Sequence, residues 1–165
     1  MKRNLIPVAT LASAVLLSVL AGPAGAAPEP AHFEARALDG STLQVPDAGG
    51  RVVLVHFWAT WCANCREEMI ALESYVRERT GQPLLVLAPS LDRTRDLDEV
   101  RSAMKGLSFP ATMARAAKVN SFGIPAVLPV TYVVDRKGDV VATLRPDGGA
   151  VTLEALERVV DPLLR

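Results

Sequence analysis

Cysteine is scarce in this sequence, since only Cys62 and Cys65 occur among its 165 residues. Two cysteines exclude a small protein held together by several disulfides and a zinc site with four cysteine ligands. Surplus charge is also missing, because 18 basic residues balance 18 acidic ones, which argues against a nucleic-acid-binding surface. Half of the residues are hydrophobic and 22% are charged, which excludes intrinsic disorder. The length suits one domain with a sizeable core.

The N-terminal segment has the layout of a secretory signal. Lys2 and Arg3 precede an apolar run from Leu5 to Leu20, and small residues follow, including Ala-Gly-Ala at 24–26. We predict cleavage after that tripeptide, which leaves a domain of residues 27–165 with a net charge of −2. An uncleaved membrane anchor is the alternative, although the run is short for a span. No cysteine near the cut offers a lipid anchor, and either way the domain is exported to a periplasmic or other extracytoplasmic compartment.

Strand-like and helix-like segments alternate along the rest of the chain. A nearly unbroken apolar run at 52–58 is typical of a strand that is covered on both faces. The pattern also predicts a hairpin over 33–45 around Asp39-Gly40 and strands at 84–88, 130–134 and 140–144. It predicts three helices: one at 66–80, one that begins at a capping box formed by Asp96 and Glu99, and one that begins after Thr152. This order predicts an α/β sandwich, in which helices flank a central mixed β-sheet with 52–58 as its middle strand.

The two cysteines follow the buried strand directly and open the first helix. The first N–H groups of a helix lack partners within it and its dipole is positive at that end, so an anion is stabilised there. Cys62, at the very start, should therefore carry a nucleophilic thiolate. Cys65 lies one turn further in, where it can close a small ring with Cys62 but is not readily attacked. This arrangement predicts that Cys62 attacks a substrate and that Cys65 resolves the mixed disulfide.

Other interpretations of the cysteine pair remain open. A purely structural disulfide is one, although so short a loop constrains the unfolded chain little. A larger metal site is another, but only His32 and His56 could add histidine ligands, and His56 falls inside the predicted strand. A copper(I) site that uses both thiolates is chemically reasonable, so a copper chaperone is the alternative function. The position after a buried strand and at a helix start favours redox chemistry, with no metal.

Two separate stretches resemble a known family. The first is 53–69, with Trp-Cys-Ala-Asn-Cys at its centre, and the second comprises Phe-Gly-Ile at 122–124 and the segment 128–138, which begins Leu-Pro-Val-Thr-Tyr. Together they are similar to the active-site motifs of the exported thioredoxin-like proteins of the TlpA/ResA/DsbE group. The likeness runs from about Phe33 to the C-terminal helix. It implies a thioredoxin fold and a thiol–disulfide oxidoreductase that reduces protein disulfides.

The resemblance also implies roles for residues around the cysteines. Pro129 would be cis and would place the Leu128-Pro129 bend beside the cysteines. Because proline offers no N–H, the extended backbone before it would be free to pair with a substrate peptide, so Leu128 and Pro129 are predicted substrate contacts. An ordinary trans proline at a strand start is the alternative. Trp61 flanks Cys62, where it would either offer apolar surface to a substrate or simply pack.

Two ionisable residues are candidates for proton transfer. His56 stands where the resemblance places a buried Asp in cytoplasmic thioredoxins and often an Asn in the exported group. A neutral imidazole there could relay the proton when Cys65 attacks, or it could be a hydrogen-bonded core histidine without a catalytic role. Glu68 matches an acidic residue that the family keeps near its active site. Ionised Glu68 would oppose the Cys62 thiolate, and it could manage protons if its pKa were raised.

The chain departs from the family pattern at two places. Ala63-Asn64, between the cysteines, lacks the proline that this fold commonly has before its second cysteine, so the redox potential does not follow from the resemblance. Ile70 stands where the family typically has a helix-kinking proline, and the first helix is therefore expected to run straighter.

The resemblance also implies which cofactors, substrates and partners to expect. The dithiol carries both electrons, so no organic cofactor is expected. The implied partners are exported proteins with disulfides, such as apocytochrome c or copper-site assembly proteins, and a membrane protein that restores the dithiol. A monomer that binds no nucleic acid is expected. A thiol peroxidase is a second enzymatic alternative, although Thr60-Trp61-Cys62 matches the cysteine loop of that class poorly.

Overall fold

The computed structural model describes residues 30–47, 49–145 and 151–165, so the predicted signal segment 1–26 lies outside the described residues. These residues form eight strands and three α-helices. In chain order they are β1 (Phe33–Arg36), β2 (Thr42–Val45), β3 (Val52–Phe57), α1 (Ala63–Glu78), β4 (Leu84–Ser90), α2 (Leu97–Ala103), β5 (Ala111–Met113), β6 (Val119–Asn120), β7 (Val130–Val134), β8 (Val140–Leu144) and α3 (Leu153–Leu164).

The central sheet has five strands in the order β5-β4-β3-β7-β8. β3 runs parallel to β4 and antiparallel to β7, and all six of its residues are buried. The predicted mixed sheet with this strand in the middle is therefore confirmed. The edge strand β5 was not predicted, because three residues are too short to show a period.

A smaller antiparallel sheet has the order β2-β1-β6. The predicted hairpin over 33–45 is its β1-β2 pair, and Gly40 takes a positive φ of 89° in the turn. The two-residue strand β6 and the cis peptide bond between Val45 and Pro46 were not predicted.

The first and last helices are both present, and the last one begins where its sequence indicates. α1 starts at Ala63 rather than at 66 and passes Ile70 without interruption. α3 starts after Thr152, whose hydroxyl accepts a hydrogen bond from the N–H of Ala155 at 3.1 Å. The predicted N-cap of the last helix is confirmed.

The predicted capping box of α2 is wrong, although the helix itself is present. The side chain of Asp96 makes no capping hydrogen bond. A 3₁₀ turn at Thr94–Asp96 precedes α2, so the backbone of Asp96 (φ −95°, ψ 16°) is not extended as an N-cap residue must be. The Asp96 carboxylate instead lies 3.5 Å from the Arg95 guanidinium.

Side chains of β3 alternate between two hydrophobic cores. Val52 and Leu54 belong to a first core, to which all three helices contribute buried side chains. Val53, Val55 and Phe57 belong to a second core, which β1 and β2 cover. Because side chains alternate strictly along a strand, His56 points to the same side as Leu54, toward the helices. The alternation therefore places an imidazole beneath α1.

Candidate active site

Cys62 and Cys65 form a disulfide at the start of α1, with an S–S distance of 2.06 Å and a Cα–Cα distance of 5.3 Å. Cys62 is the N-cap residue of α1, and its backbone is extended there (φ −92°, ψ 102°). Its Sγ accepts a hydrogen bond from the N–H of Cys65 at 3.3 Å. This bond satisfies one of the N–H groups that a helix start leaves open, so the helix can begin at Ala63.

The two sulfurs differ in how easily they can be reached. Cys65 is fully buried in the first core, whereas Cys62 is half-buried. Trp61, the residue before Cys62, is 69% exposed. A substrate sulfur therefore meets Cys62 first, which is the order that thiol–disulfide exchange requires of an attacking and a resolving cysteine.

A buried carboxylate holds the loop that leads to the disulfide. Asp92 lies just after β4 and is 3% exposed. Its Oδ2 accepts hydrogen bonds from the N–H of Thr60 at 2.9 Å and from the hydroxyl of Ser90 at 2.6 Å, and its Oδ1 accepts one from the Thr60 hydroxyl at 2.7 Å. Asp92 thus joins the loop after β3 to the loop after β4.

Asp92 was not predicted from the sequence. β3 and β4 are parallel neighbours, so their carboxyl ends lie side by side. A Ser-x-Asp sequence directly after a buried strand, next to the strand that leads to the cysteines, is the feature that could have found it.

Pro129 lies at the same end of the sheet as the cysteines. The Leu128-Pro129 peptide bond is cis, as the resemblance implies. Pro129 is buried and directly precedes β7, whose first residue, Val130, pairs with Phe57 at the end of β3. Since β3 leads into the cysteine loop, the cis bend and the disulfide lie at the same end of the sheet. Leu128 packs against both hydrophobic cores.

His56 and Glu68 come together beneath α1, one helical turn beyond Cys65. His56 is fully buried, and its Nδ1 lies 2.8 Å from the hydroxyl of Thr131 on β7. Glu68 is 6% exposed, and its Oε1 accepts a hydrogen bond from the N–H of Val151 at 3.0 Å. Glu68 Oε2 lies 3.9 Å from His56 Nδ1. Among the described residues, neither Glu68 Oε2 nor His56 Nε2 has a hydrogen-bond partner.

The sequence matches a known protein family over most of its length. The model of the AhpC/TSA family matches residues 25–143. The chain belongs to the AhpC/TSA family. It is similar to the thiol–disulfide oxidoreductase ResA of Oceanobacillus iheyensis, with 30% identity over 120 residues that cover 73% of this chain and 61% of that protein. It is also similar to the thioredoxin-like protein YneN of Bacillus subtilis, with 29% identity over 131 residues, 78% of this chain and 75% of that one.

Solved structures agree with the AhpC/TSA assignment. A thiol:disulfide interchange protein of the thioredoxin family from Chlorobium tepidum superposes with a TM-score of 0.70 and 25% identity, covering 86% of this chain and all of that one. A secreted thiol–disulfide isomerase from Corynebacterium glutamicum gives a TM-score of 0.65 and 26% identity, over 82% and 84% of the two chains. The predicted thioredoxin-like fold and the predicted kinship with the ResA and DsbE proteins are confirmed.

Burial sets the protonation of the ionisable pair in this AhpC/TSA-family site. It lowers the pKa of His56 to about 4, and only the backbone of Cys65 opposes the shift. The imidazole is therefore neutral at pH 7. Burial raises the pKa of Glu68, while the hydrogen bond from the Val151 N–H opposes part of that shift. Of the two groups, Glu68 is the one whose pKa moves toward neutral pH.

The buried imidazole should make the folded protein sensitive to acid. His56 titrates near 6.5 when exposed and at about 4 in the fold, so between these values the unfolded chain binds the proton first as the pH falls. The free energy of unfolding should then drop by up to about 3 kcal/mol over this window, since one pKa unit corresponds to about 1.4 kcal/mol. Urea unfolding of the wild type and of His56→Asn across the same window measures the effect. The variant should lack this part of the slope, and equal slopes would contradict a neutral buried histidine.

The described residues contain neither a membrane-spanning helix nor a metal-binding group of side chains. No helix in residues 30–47, 49–145 and 151–165 is long and apolar enough to cross a membrane. Over the same ranges, no three or more His, Cys, Asp or Glu side chains gather into a group that could hold a metal ion.

Proposed function

We propose that this chain is an extracytoplasmic thiol–disulfide oxidoreductase that reduces disulfides of exported proteins through Cys62 and Cys65. The observation that carries the proposal is the position of the half-buried Cys62 sulfur at the N-cap of α1, with Cys65 buried behind it. The names of ResA, of YneN and of the Chlorobium interchange protein support the same chemistry.

The reaction exchanges one disulfide for another in two steps. In the reduced protein, the Cys62 thiolate attacks one sulfur of the substrate disulfide, and the other substrate sulfur leaves as a thiolate that takes up a proton. Cys65 then loses its proton and attacks Cys62 Sγ, which releases the second substrate thiol and leaves the Cys62–Cys65 disulfide. Two electrons pass to the substrate in this exchange. The dithiol carries both, so the step needs no organic cofactor.

Leu128 and Pro129 are proposed to form the substrate groove. The support is their position at the same end of the sheet as the disulfide. Proline has no N–H, so the backbone before Pro129 keeps its polar groups for an extended peptide. Trp61 offers apolar surface beside Cys62, and its 69% exposure supports that role.

Glu68 is proposed to take the proton that Cys65 loses. It lies one turn after Cys65 on α1, and its Oε2, which has no hydrogen-bond partner in the part of the chain that the structure describes, lies 3.9 Å from His56 Nδ1. Glu68→Gln should slow resolution of the mixed disulfide at neutral pH by at least about tenfold and flatten the pH profile of that step. Stopped-flow measurement of substrate thiol release from the preformed mixed disulfide gives this rate.

Two variants accompany that measurement. Glu67→Gln removes the exposed neighbouring carboxylate and should leave the profile unchanged. His56→Asn tests the proposed relay, because an unchanged pH profile would restrict His56 to a structural role. A normal profile in Glu68→Gln would remove Glu68 from proton transfer.

The finer points of the proposal concern the cellular setting. A segment with the layout of a secretory signal precedes the domain, and one structural relative is named a secreted protein. We place the domain outside the cytoplasm, as a monomer whose dithiol is restored by a membrane thiol-reducing protein. Apocytochrome c and copper-site assembly proteins are the proposed substrates.

The redox potential of the Cys62–Cys65 pair tests the direction of electron flow. The pair is equilibrated against glutathione or dithiothreitol, and the reduced fraction is read from alkylated protein by mass spectrometry. A reductant should show a potential near or below about −220 mV, whereas a value above about −150 mV would identify an oxidant and overturn the proposed direction.

A further inference from the structure

A cleft beside the disulfide is rich in arginine. We call it the arginine cleft, and it is lined by Trp61, Leu91, Arg93, Arg95, Asp96 and Arg115. Trp61 directly precedes Cys62 in the sequence, so one wall of the cleft is the residue next to the redox cysteine. Three guanidinium groups face one carboxylate there.

Two of these guanidinium groups have no counter-charge. Arg95 lies 3.5 Å from Asp96, the only carboxylate in the lining. Arg93 and Arg115 are exposed, and they take part in none of the ion pairs among the residues that the structure describes. Arg77, in contrast, contacts the Glu73 carboxylate directly. Over the described ranges, the cleft therefore carries more positive than negative charge.

The carboxylate of Asp92 does not pair with the arginines of the cleft. Asp92 stands between Leu91 and Arg93 in the sequence, but it is buried, and its oxygens accept hydrogen bonds from Thr60 and Ser90. Through Thr60 it also fixes the loop of Arg93 to the loop of the disulfide.

We propose that the arginine cleft binds an acidic segment of the protein substrate that lies beside the substrate's reacting cysteine. Guanidinium groups keep their charge at every working pH and pair with carboxylates in a planar, two-bonded geometry. Trp61 adds an aromatic face to which the apolar part of such a segment can pack. This inference rests on the proposed function, because it assigns the charge of the substrate that Cys62 attacks.

Two disulfide-bonded peptides test the assignment, identical except that glutamates beside the cysteine in one are glutamines in the other. At low ionic strength we expect kcat/KM for reduction of the acidic peptide to be about tenfold higher, mostly through KM, and we expect high salt to remove the preference. The triple variant Arg93→Gln, Arg95→Gln and Arg115→Gln should lose the preference and keep the wild-type rate on the neutral peptide. Arg158→Gln, an exposed arginine on α3, is the matched control and should keep both rates.

A binding measurement separates this inference from the proposed function. A cysteine-free acidic peptide is titrated into the oxidised protein, and tryptophan fluorescence is followed, because Trp61 is exposed whereas Trp58 is fully buried. Saturable quenching in the wild type that is lost in the triple variant supports binding of the acidic peptide in the arginine cleft. This holds even if neither disulfide-bonded peptide is reduced, since the absence of reduction would refute only the proposed function. Equal kcat/KM for the two peptides, or a preference that survives in the triple variant, overturns the assignment. Binding to vesicles with anionic lipid but not to the acidic peptide overturns it as well.

Discussion

Cys65→Ser should stop turnover and leave the substrate bound to Cys62 as a mixed disulfide. Cys62 is half-buried at the start of α1 and can still attack, but the buried thiol that would release the substrate is gone. We expect the steady-state rate of disulfide reduction to fall by roughly 10³-fold or more, since the two cysteines act as a unit. Mass spectrometry after incubation of the reduced variant with a disulfide peptide should find one peptide per chain on Cys62.

Cys62→Ser is the matched control. It removes the reachable sulfur and keeps Cys65 in the first core, so neither turnover nor a peptide adduct is expected. An adduct on Cys65 would reverse the assigned roles. Binding of one copper(I) per reduced chain, lost in Cys62→Ser and combined with no reduction of insulin by the wild type, would instead support the copper chaperone.

The second large effect is expected at Asp92. Asp92→Ala leaves the N–H and the hydroxyl of Thr60 and the hydroxyl of Ser90 without their acceptor. Hydrogen bonds to a charged group contribute about 1.5–3 kcal/mol each, and part of the loss is recovered by water, so we expect the free energy of unfolding to fall by about 3 kcal/mol. The loop before Cys62 should loosen as well, which slows attack on the substrate.

Urea unfolding of the oxidised protein measures the stability, and single-turnover reduction of a disulfide peptide measures the attack. Asp98→Ala is the control, since that carboxylate is 92% exposed on α2 and should change stability by less than about 0.5 kcal/mol. A double-mutant cycle with Thr60→Val isolates the contact between the loops. If Asp92→Ala were as stable as Asp98→Ala, the carboxylate would not hold the loops together.

The long elements of the fold could be predicted because each carries its own pattern. β3 has a nearly unbroken apolar run, and β7 and β8 begin and end at the predicted residues. Thr152 caps α3 as predicted, because an N-cap bond is local to four residues. A helix after the cysteines was predictable for the same reason, although α1 starts at Ala63 and not at 66.

The remaining features depend on contacts between distant parts of the chain. β5 and β6 are too short for any period and exist because longer strands offer them edges. Asp92 could not be singled out from composition, since its meaning comes from Thr60, which lies on a different loop. The pKa of His56 likewise depends on burial in the fold, and the sequence alone left both a relay and a core histidine open.

The hydrogen bond from the Cys65 N–H to Cys62 Sγ makes the redox sulfur a structural part of α1. A thiolate accepts such a bond and meets the positive end of the helix dipole better than a disulfide sulfur does. Folding and reduction form a thermodynamic cycle. The reduced and oxidised forms differ in unfolding free energy by the same amount as the folded and unfolded cysteine pairs differ in electron affinity. For this two-electron couple, about 1.4 kcal/mol corresponds to about 30 mV. A change that stabilises one redox form of the fold more than the other therefore also changes the electron affinity of the pair. A substitution that frays the first turn of α1 should make the pair a stronger electron donor.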